Sequence, residues 1–166
     1  KFKNGCPLEA SNYRPIALLL TFSKVIEKVI LTRLIDHCKY HNLLPDGQHG
    51  FVKGRSTNSA LIKFAEFIID NLEKKNLVTS VLLDFSKAFD CLGHDLILNK
   101  LEQLGIKGQA LKWFNSYLEG RQQIVELRHT HKGVTQKVRS SPLQTNRGVQ
   151  QGSVLGPVVF ILFTHD

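Results

Sequence analysis

Apolar side chains recur at every third or fourth position in four stretches of the chain, and this spacing predicts amphipathic α-helices. The first helix is predicted to begin with Thr21 as its N-cap and to end near His41. The second follows a cap at Thr57 or Asn58, and two shorter helices cover residues 96–104 and 109–118. A fifth helix is predicted from about Ser153, with Pro157 tolerated only near its first turn.

Three other stretches favour β-strands. Residues 77–83 are almost continuously apolar and rich in β-branched side chains, which is typical of a strand buried on both faces. Residues 121–128 and 133–139 are predicted to pair around a polar turn at 129–132. Because helices and strands alternate irregularly, the expected fold class is α+β rather than a regular βαβ winding.

Composition narrows the class of protein. The 166 residues are 42% hydrophobic and 22% charged, which excludes wholesale disorder and low-complexity structure. The longest apolar run, 154–163, is interrupted by Gly156 and Pro157 and is shorter than the roughly 20 residues that a bilayer requires, so no membrane partner is expected. Three scattered cysteines are too few for a disulfide framework, which favours a reducing, intracellular compartment.

The net charge of +8 is unevenly distributed. Residues 1–60 and 106–166 each carry a net charge of +5, whereas residues 61–105 carry −2. Two basic flanks around an acidic centre fit a protein that holds a polyanion and keeps carboxylates for cations. An ordinary solubilising surface explains the same distribution equally well.

The most informative local pattern is LLDFSKAFD at 82–90, where Asp84 follows the predicted buried strand directly. A carboxylate in such a place is costly to bury unless it is paired or bound to a metal ion. Since Mg²⁺ favours one or two carboxylates together with phosphate oxygens, Asp84 is a candidate ligand, helped by the backbone carbonyl of Phe85. From the local pattern alone, the commoner role for such an aspartate is the cap of a short helical turn at 85–90. A metal-dependent hydrolase built on Asp84 and Asp90 is a further alternative. Asp90, His94 and Asp95 are expected to cap the next helix.

Two glycine-containing segments precede predicted helices and could approach a phosphate. One is RGVQQGSVLGP at 147–157, and the other is GFVKGRST at 50–57, which includes Lys53 and Arg55. Neither is a Walker loop or a dinucleotide fingerprint. Taken alone, each fits a plain loop-to-helix turn.

Together these segments strongly resemble the reverse transcriptases of non-LTR (LINE-type, jockey-like) retrotransposons, over nearly the whole chain. Four sequence blocks of this family occur in the order that the family has. One such motif alone would be a weak indication, but four at the spacing of the family are very specific for it. They are NYRPIALL with TFSKVIEKVI at 12–30, QHGFVKGRST at 48–57, LLDFSKAFD with CLGHDLILNKLEQLGI at 82–106, and GVQQGSVLGPVVF at 148–160. The wording of the second and third blocks disfavours a group II intron maturase.

The resemblance implies a right-hand polymerase with fingers at about 1–75 and a partial palm at about 76–166. Asp84 matches the first catalytic aspartate, which with the Phe85 carbonyl would hold two Mg²⁺ ions. Phe89 matches the aromatic gate that excludes a ribose 2′-hydroxyl. Gln151 and Gly152 match the block that packs on the incoming nucleotide, and Arg14, Lys53 and Arg55 match fingers positions near the triphosphate. The implied partners are an RNA template, a DNA primer and deoxynucleoside triphosphates.

The sequence also departs from the family pattern. The family usually has Phe at His49, Arg at Val52 and Pro at Gln150. The chain is expected to be truncated, because it stops at Asp166 before the Ala-Asp-Asp hairpin of the family, and to be inactive alone, because Asp84 offers too few ligands for two metals. The alternative is a non-catalytic, nucleic-acid-binding remnant of such an element. Whether the reading frame continues into that hairpin distinguishes the two hypotheses. Nucleus and cytoplasm are both expected locations.

Overall fold

The structure, a computed structural model, describes residues 5, 6, 9, 12, 13, 16–85 and 87–164. It is a mixed α+β fold, as predicted, and all five predicted helices are present. None of the helices in the described part is both long and apolar enough to cross a bilayer. The elements in chain order are α1 (Thr21–Tyr40), α2 (Thr57–Glu73), α3 (His94–Gln103), α4 (Gly108–Leu118), β1 (Gln122–Gln123), β2 (Glu126–His131), β3 (Val134–Arg139), β4 (Leu143–Gln144) and α5 (Gly156–Thr164).

The chain divides into two compact units, and the first consists of Lys1–Phe89 with Gln150–Asp166. Its core is formed largely by α5, which is apolar on all sides and buries five of its residues. From α1 the first unit buries Glu27, Leu34 and Cys38. The apolar face predicted for α1 is therefore only partly buried, because Phe22 and Val25 are exposed. Among its described residues, α2 buries none.

The second unit is Asp90–Val149. Here α3 and α4 pack together through the buried side chains Ile97, Leu101, Phe114 and Leu118. Two antiparallel two-stranded sheets accompany them, β1 with β4 and β2 with β3.

The β2–β3 hairpin is tighter than predicted. Its register pairs Glu126 with Arg139 and His131 with Val134, so only Lys132 and Gly133 form the turn. Both turn residues have positive φ, 50° and 79°, as a two-residue type I′ turn requires. The prediction of a turn at 129–132 is wrong because 129–131 lie within β2.

Several predicted caps are wrong by a few residues. Thr21 is the first residue of α1 rather than its cap, and Leu20 precedes it without a side-chain bond. Ser56, rather than Thr57 or Asn58, caps α2, in a reciprocal capping box with Ser59. The cap of α3 is Gly93, which makes no side-chain bond, instead of Asp90, His94 or Asp95. Helix α5 begins at Gly156 rather than near Ser153.

The predicted buried strand at 77–83 is wrong. Residues 76–85 have no regular secondary structure, and Leu77 and Leu82 are 96% and 90% exposed. A strand buried on both faces needs hydrogen-bonded neighbours and covering layers. No strand among the described residues pairs with this segment, so its apolar side chains remain in solvent.

Candidate functional site

Four phenylalanines bring three of the sequence blocks together in the first unit. The ring of Phe160 on α5 lies 5.2 Å from the ring of Phe89 and 6.4 Å from the ring of Phe85, measured between centroids. The ring of Phe51, from the glycine-containing loop, meets Phe89 edge-on at 6.4 Å. Such tilted and edge-to-face pairs are the favoured aromatic geometries. We call Phe51, Phe85, Phe89 and Phe160 the phenylalanine cluster; it fixes the ring of Phe89 from two sides.

The fourth block meets the first at a turn formed by residues 150–152, the glutamine turn. The backbone carbonyl of Gln151 accepts a hydrogen bond from the Ala17 N–H at 3.2 Å, and the Ser153 N–H donates to the Gln150 carbonyl at 3.0 Å. Gly152 has a φ of +103°, a conformation that favours glycine. A Cβ at Gly152 would lie 3.6 Å from the Ala17 carbonyl oxygen, which is ordinary contact.

The segment between the glutamine turn and α5 binds a buried acid. Glu27 of α1 is 1% exposed, and its Oε2 accepts hydrogen bonds from the backbone N–H groups of Val154 at 2.6 Å and Leu155 at 3.3 Å. The Ser153 hydroxyl accepts from the Gly156 N–H at 3.0 Å. The N–H groups of Val154, Leu155 and Gly156 are thus bonded to side chains, and Pro157 has no N–H to satisfy in the first turn of α5.

Asp84 lies in the exposed stretch without secondary structure rather than at the mouth of a buried strand. In the described part of the chain, no group of three or more His, Cys, Asp or Glu side chains is placed to hold a metal ion. Asp84 could supply one carboxylate oxygen to Mg²⁺, with the Phe85 carbonyl beside it in the chain. These donors do not amount to a complete metal site, so the role of Asp84 stays a prediction.

In the glycine-containing segment at 50–57, one of the two predicted phosphate ligands is bonded to the backbone of the chain itself. The guanidinium Nη1 of Arg55 donates to the backbone carbonyls of Asp46 and Gln48, at 2.6 Å each, and so closes the loop. Lys53 is exposed on the same loop. Arg14, the third predicted cation, lies outside the described residues. The contacts of all three with a triphosphate remain predictions.

Cys38 has the most strongly shifted thiol among the described residues. Burial raises the pKa of Cys38 to about 11, and a bond to its own backbone opposes this only partly. The side chain is therefore a neutral thiol near pH 7, and it packs as a small apolar residue in the core.

The match to known families decides the class of protein. Residues 2–166 match the model of the family described as reverse transcriptase (RNA-dependent DNA polymerase). The chain belongs to the reverse transcriptase family. It is 35% identical, over 99% of its length, to a probable RNA-directed DNA polymerase from transposon BS of Drosophila melanogaster. It is also 35% identical, over 96% of its length, to the RNA-directed DNA polymerase from mobile element jockey of Drosophila funebris.

These relatives confirm the resemblance to jockey-like, non-LTR elements. A more distant one, the Pol polyprotein from type-1 retrotransposable element R2 of Popillia japonica, is 26% identical over 95% of the chain. The chain spans 17%, 16% and 21% of the lengths of these three relatives. No solved structure matches the chain.

Within this family assignment, sequence reasoning missed Glu27, Phe51 and Phe160. Glu27 lies on the same face of α1 as Leu34 and Cys38, which are seven and eleven positions further along the chain. An acidic residue at this spacing from apolar residues was the signal in the sequence that could have indicated a buried acid. Phe160 carried no signal, because a helix that is apolar all round does not reveal which side faces a site. At Gln150, where the family usually has proline, the side-chain Oε1 is buried without a hydrogen-bond partner in the described part of the chain.

Proposed function

We propose that the chain is part of a retrotransposon RNA-directed DNA polymerase and carries the surface that receives the incoming deoxynucleotide. The observation that supports this is the convergence of residues from all four family blocks in the first compact unit. The first block reaches the fourth through the bonds of Ala17 to Gln151 and of Glu27 to Val154. The second and third blocks reach the fourth through the phenylalanine cluster.

Phe89 has the role of the gate in this proposal. Its ring is held between Phe51 and Phe160, so its position does not depend on the bound nucleotide alone. A fixed ring beside the sugar would crowd a 2′-hydroxyl and favour deoxynucleotides. Gln151 and Gly152 would pack on the base pair that the nucleotide forms with the RNA template.

The remaining family roles complete the proposal. Residues 1–75 would belong to the fingers and residues 76–166 to the palm; the helices α1 and α2 lie in the first part, and all four strands lie in the second. Arg14, Lys53 and Arg55 would face the triphosphate, whose negative charge matches the basic character of residues 1–60.

The reaction would be attack of the primer 3′-hydroxyl on the α-phosphate, with release of pyrophosphate. Mg²⁺ supplies charge neutralisation in such transfers, and Asp84 would hold it with the Phe85 carbonyl. Because Asp84 is the only member of the expected carboxylate set within these 166 residues, we derive no step through a metal. The chain is proposed to bind template, primer and nucleotide without extending the primer.

Fluorescence anisotropy with a labelled DNA primer on an RNA template tests the binding. If the basic segments contact about five phosphates, the affinity should fall with salt at a logarithmic slope between about −3 and −5. A flat salt dependence would contradict the polyanion surface. Efficient primer extension by the isolated chain would contradict its proposed inactivity.

Nucleotide selectivity tests the gate separately. The complex with template and primer should bind a complementary deoxynucleoside triphosphate more tightly than the ribonucleotide, and Phe89→Ala should reduce this preference. Phe67→Ala is the matched control, because Phe67 is an exposed phenylalanine of α2 outside the cluster. Salt-dependent binding with no nucleotide preference in the wild type would instead support a non-catalytic nucleic-acid-binding remnant.

A further inference from the structure

Glu27 is the most deeply buried charged side chain among the described residues. A buried carboxylate without partners is very costly, so its hydrogen bonds must compensate the loss of water. Both N–H groups that bind its Oε2 belong to residues 127 and 128 positions further along the chain. Its Oε1 lies 3.5 Å from the Ser23 hydroxyl. Within the described residues, no lysine or arginine forms an ion pair with Glu27.

The carboxylate does more than cap α5. The helix begins at Gly156, whose N–H already binds the Ser153 hydroxyl. Glu27 binds the two preceding N–H groups, on Val154 and Leu155, in the link between the glutamine turn and the helix. The bond therefore fixes how the chain leaves the turn.

A second hydrogen bond fixes the glutamine turn itself, at Gln151. The Ala17 N–H donates to the Gln151 carbonyl, and Ala17 lies four residues before the start of α1. Residues on both sides of Gly152 are thus tied to α1 or to the segment that leads into it.

We propose that Glu27 is a positioning residue for the glutamine turn: through Val154 and Leu155 it sets where Gln151 and Gly152 stand relative to α1. This inference rests on the proposed function, in which that turn packs on the incoming nucleotide. Glu27 itself does not touch the nucleotide; it acts through the backbone of the turn. Loss of the carboxylate oxygen should let the turn shift, and a displaced site group can cost as much as about 100-fold in function.

Three variants of the full chain separate positioning from general stability. Glu27→Ala removes the acceptor. Glu27→Gln keeps one acceptor oxygen for the turn, removes the charge and places an NH2 group near the Ser23 hydroxyl, which can accept from it. Leu34→Ala is the matched control, because Leu34 is buried on the same helix and makes no bond to the turn. Urea unfolding identifies conditions in which all variants remain folded.

The first readout is the affinity of the complex with RNA template and DNA primer for a complementary deoxynucleoside triphosphate. We expect Glu27→Ala to weaken it about tenfold or more, Glu27→Gln to restore it to within about threefold of the wild type, and Leu34→Ala to leave it unchanged. Equal losses in Glu27→Ala and Leu34→Ala would overturn the proposal, because stability alone would then account for them.

The second readout, amide hydrogen exchange of the free chain, needs no nucleotide. In Glu27→Ala, exchange should accelerate at residues 150–155 and remain unchanged at 34–38, whereas Glu27→Gln should stay close to the wild type. Unchanged exchange at 150–155 would overturn the positioning role. If the wild type binds no nucleotide while exchange changes as expected, the positioning of the turn stands and the proposed function fails.

Discussion

Gly152→Ala tests the conformation of the glutamine turn. At φ +103° an L-residue is strained, and the left-handed region costs a residue with a Cβ roughly 1–2 kcal/mol. The new methyl group adds no clash, since the Ala17 carbonyl oxygen lies 3.6 Å away. Reduced freedom of the unfolded chain returns about 0.4–1 kcal/mol. The free energy of unfolding should therefore fall by about 1 kcal/mol, which lowers Tm by about 2–4 °C for a chain of this size.

The assay is urea or thermal unfolding followed by circular dichroism, with Gly47→Ala as the matched control. Gly47 lies outside the positive-φ region and has no atom within 4 Å of a built Cβ. Alanine there should be neutral or stabilise the chain by up to about 1 kcal/mol. If Gly152→Ala stabilises the chain as much as the control does, the turn is not strained and the reasoning is refuted.

Three further predictions concern helix capping and pH. Ser56→Ala removes the capping box of α2 and should cost about 1 kcal/mol in urea unfolding, whereas Thr57→Ala should cost less. The pKa of Cys38 is raised to about 11 in the folded state, so the neutral thiol contributes to the free energy of unfolding. This contribution should be fully present below about pH 9 and should be lost as pH rises through about 11. Cys38→Ala should remove that decline, and an unchanged slope would contradict it. Hydrogen bonds from Arg139 and Arg128 lower the pKa of Glu126. The β2–β3 hairpin should therefore loosen as pH falls through that lowered pKa, and amide hydrogen exchange in the hairpin measures this. Glu126→Gln should show no such pH-dependent increase in exchange.

The helices could be predicted because their signal is local. In α3 and α4 the apolar spacing marks the residues that the structure buries, such as Leu101 and Phe114. In α1 the same spacing locates the helix but not its buried face, because Glu27 is buried while Phe22 is exposed. Glu27 is buried against the backbone of Val154 and Leu155, more than a hundred residues away, and periodicity carries no information about that partner.

The strand predictions depended on partners in the same way. Residues 77–83 have strand-like composition, but a strand forms only when another chain segment pairs with it. The hairpin was predicted in outline, and its turn was placed too early because the polar histidines obscured the positive-φ requirement met by Lys132 and Gly133. The meeting of the four family blocks followed from the family resemblance, since no local pattern brings Ala17 to Gln151.

Photoaffinity labelling tests the nucleotide site most directly. A deoxynucleoside triphosphate carrying a photoreactive base is bound to the chain with RNA template and DNA primer, irradiated, and the labelled peptides are identified by mass spectrometry. We expect labels on residues 85–89 and 150–153, and unmodified deoxynucleotide should compete with this labelling more effectively than ribonucleotide does. Labels confined to the β2–β3 hairpin, or labelling that unmodified nucleotide does not reduce, would contradict it.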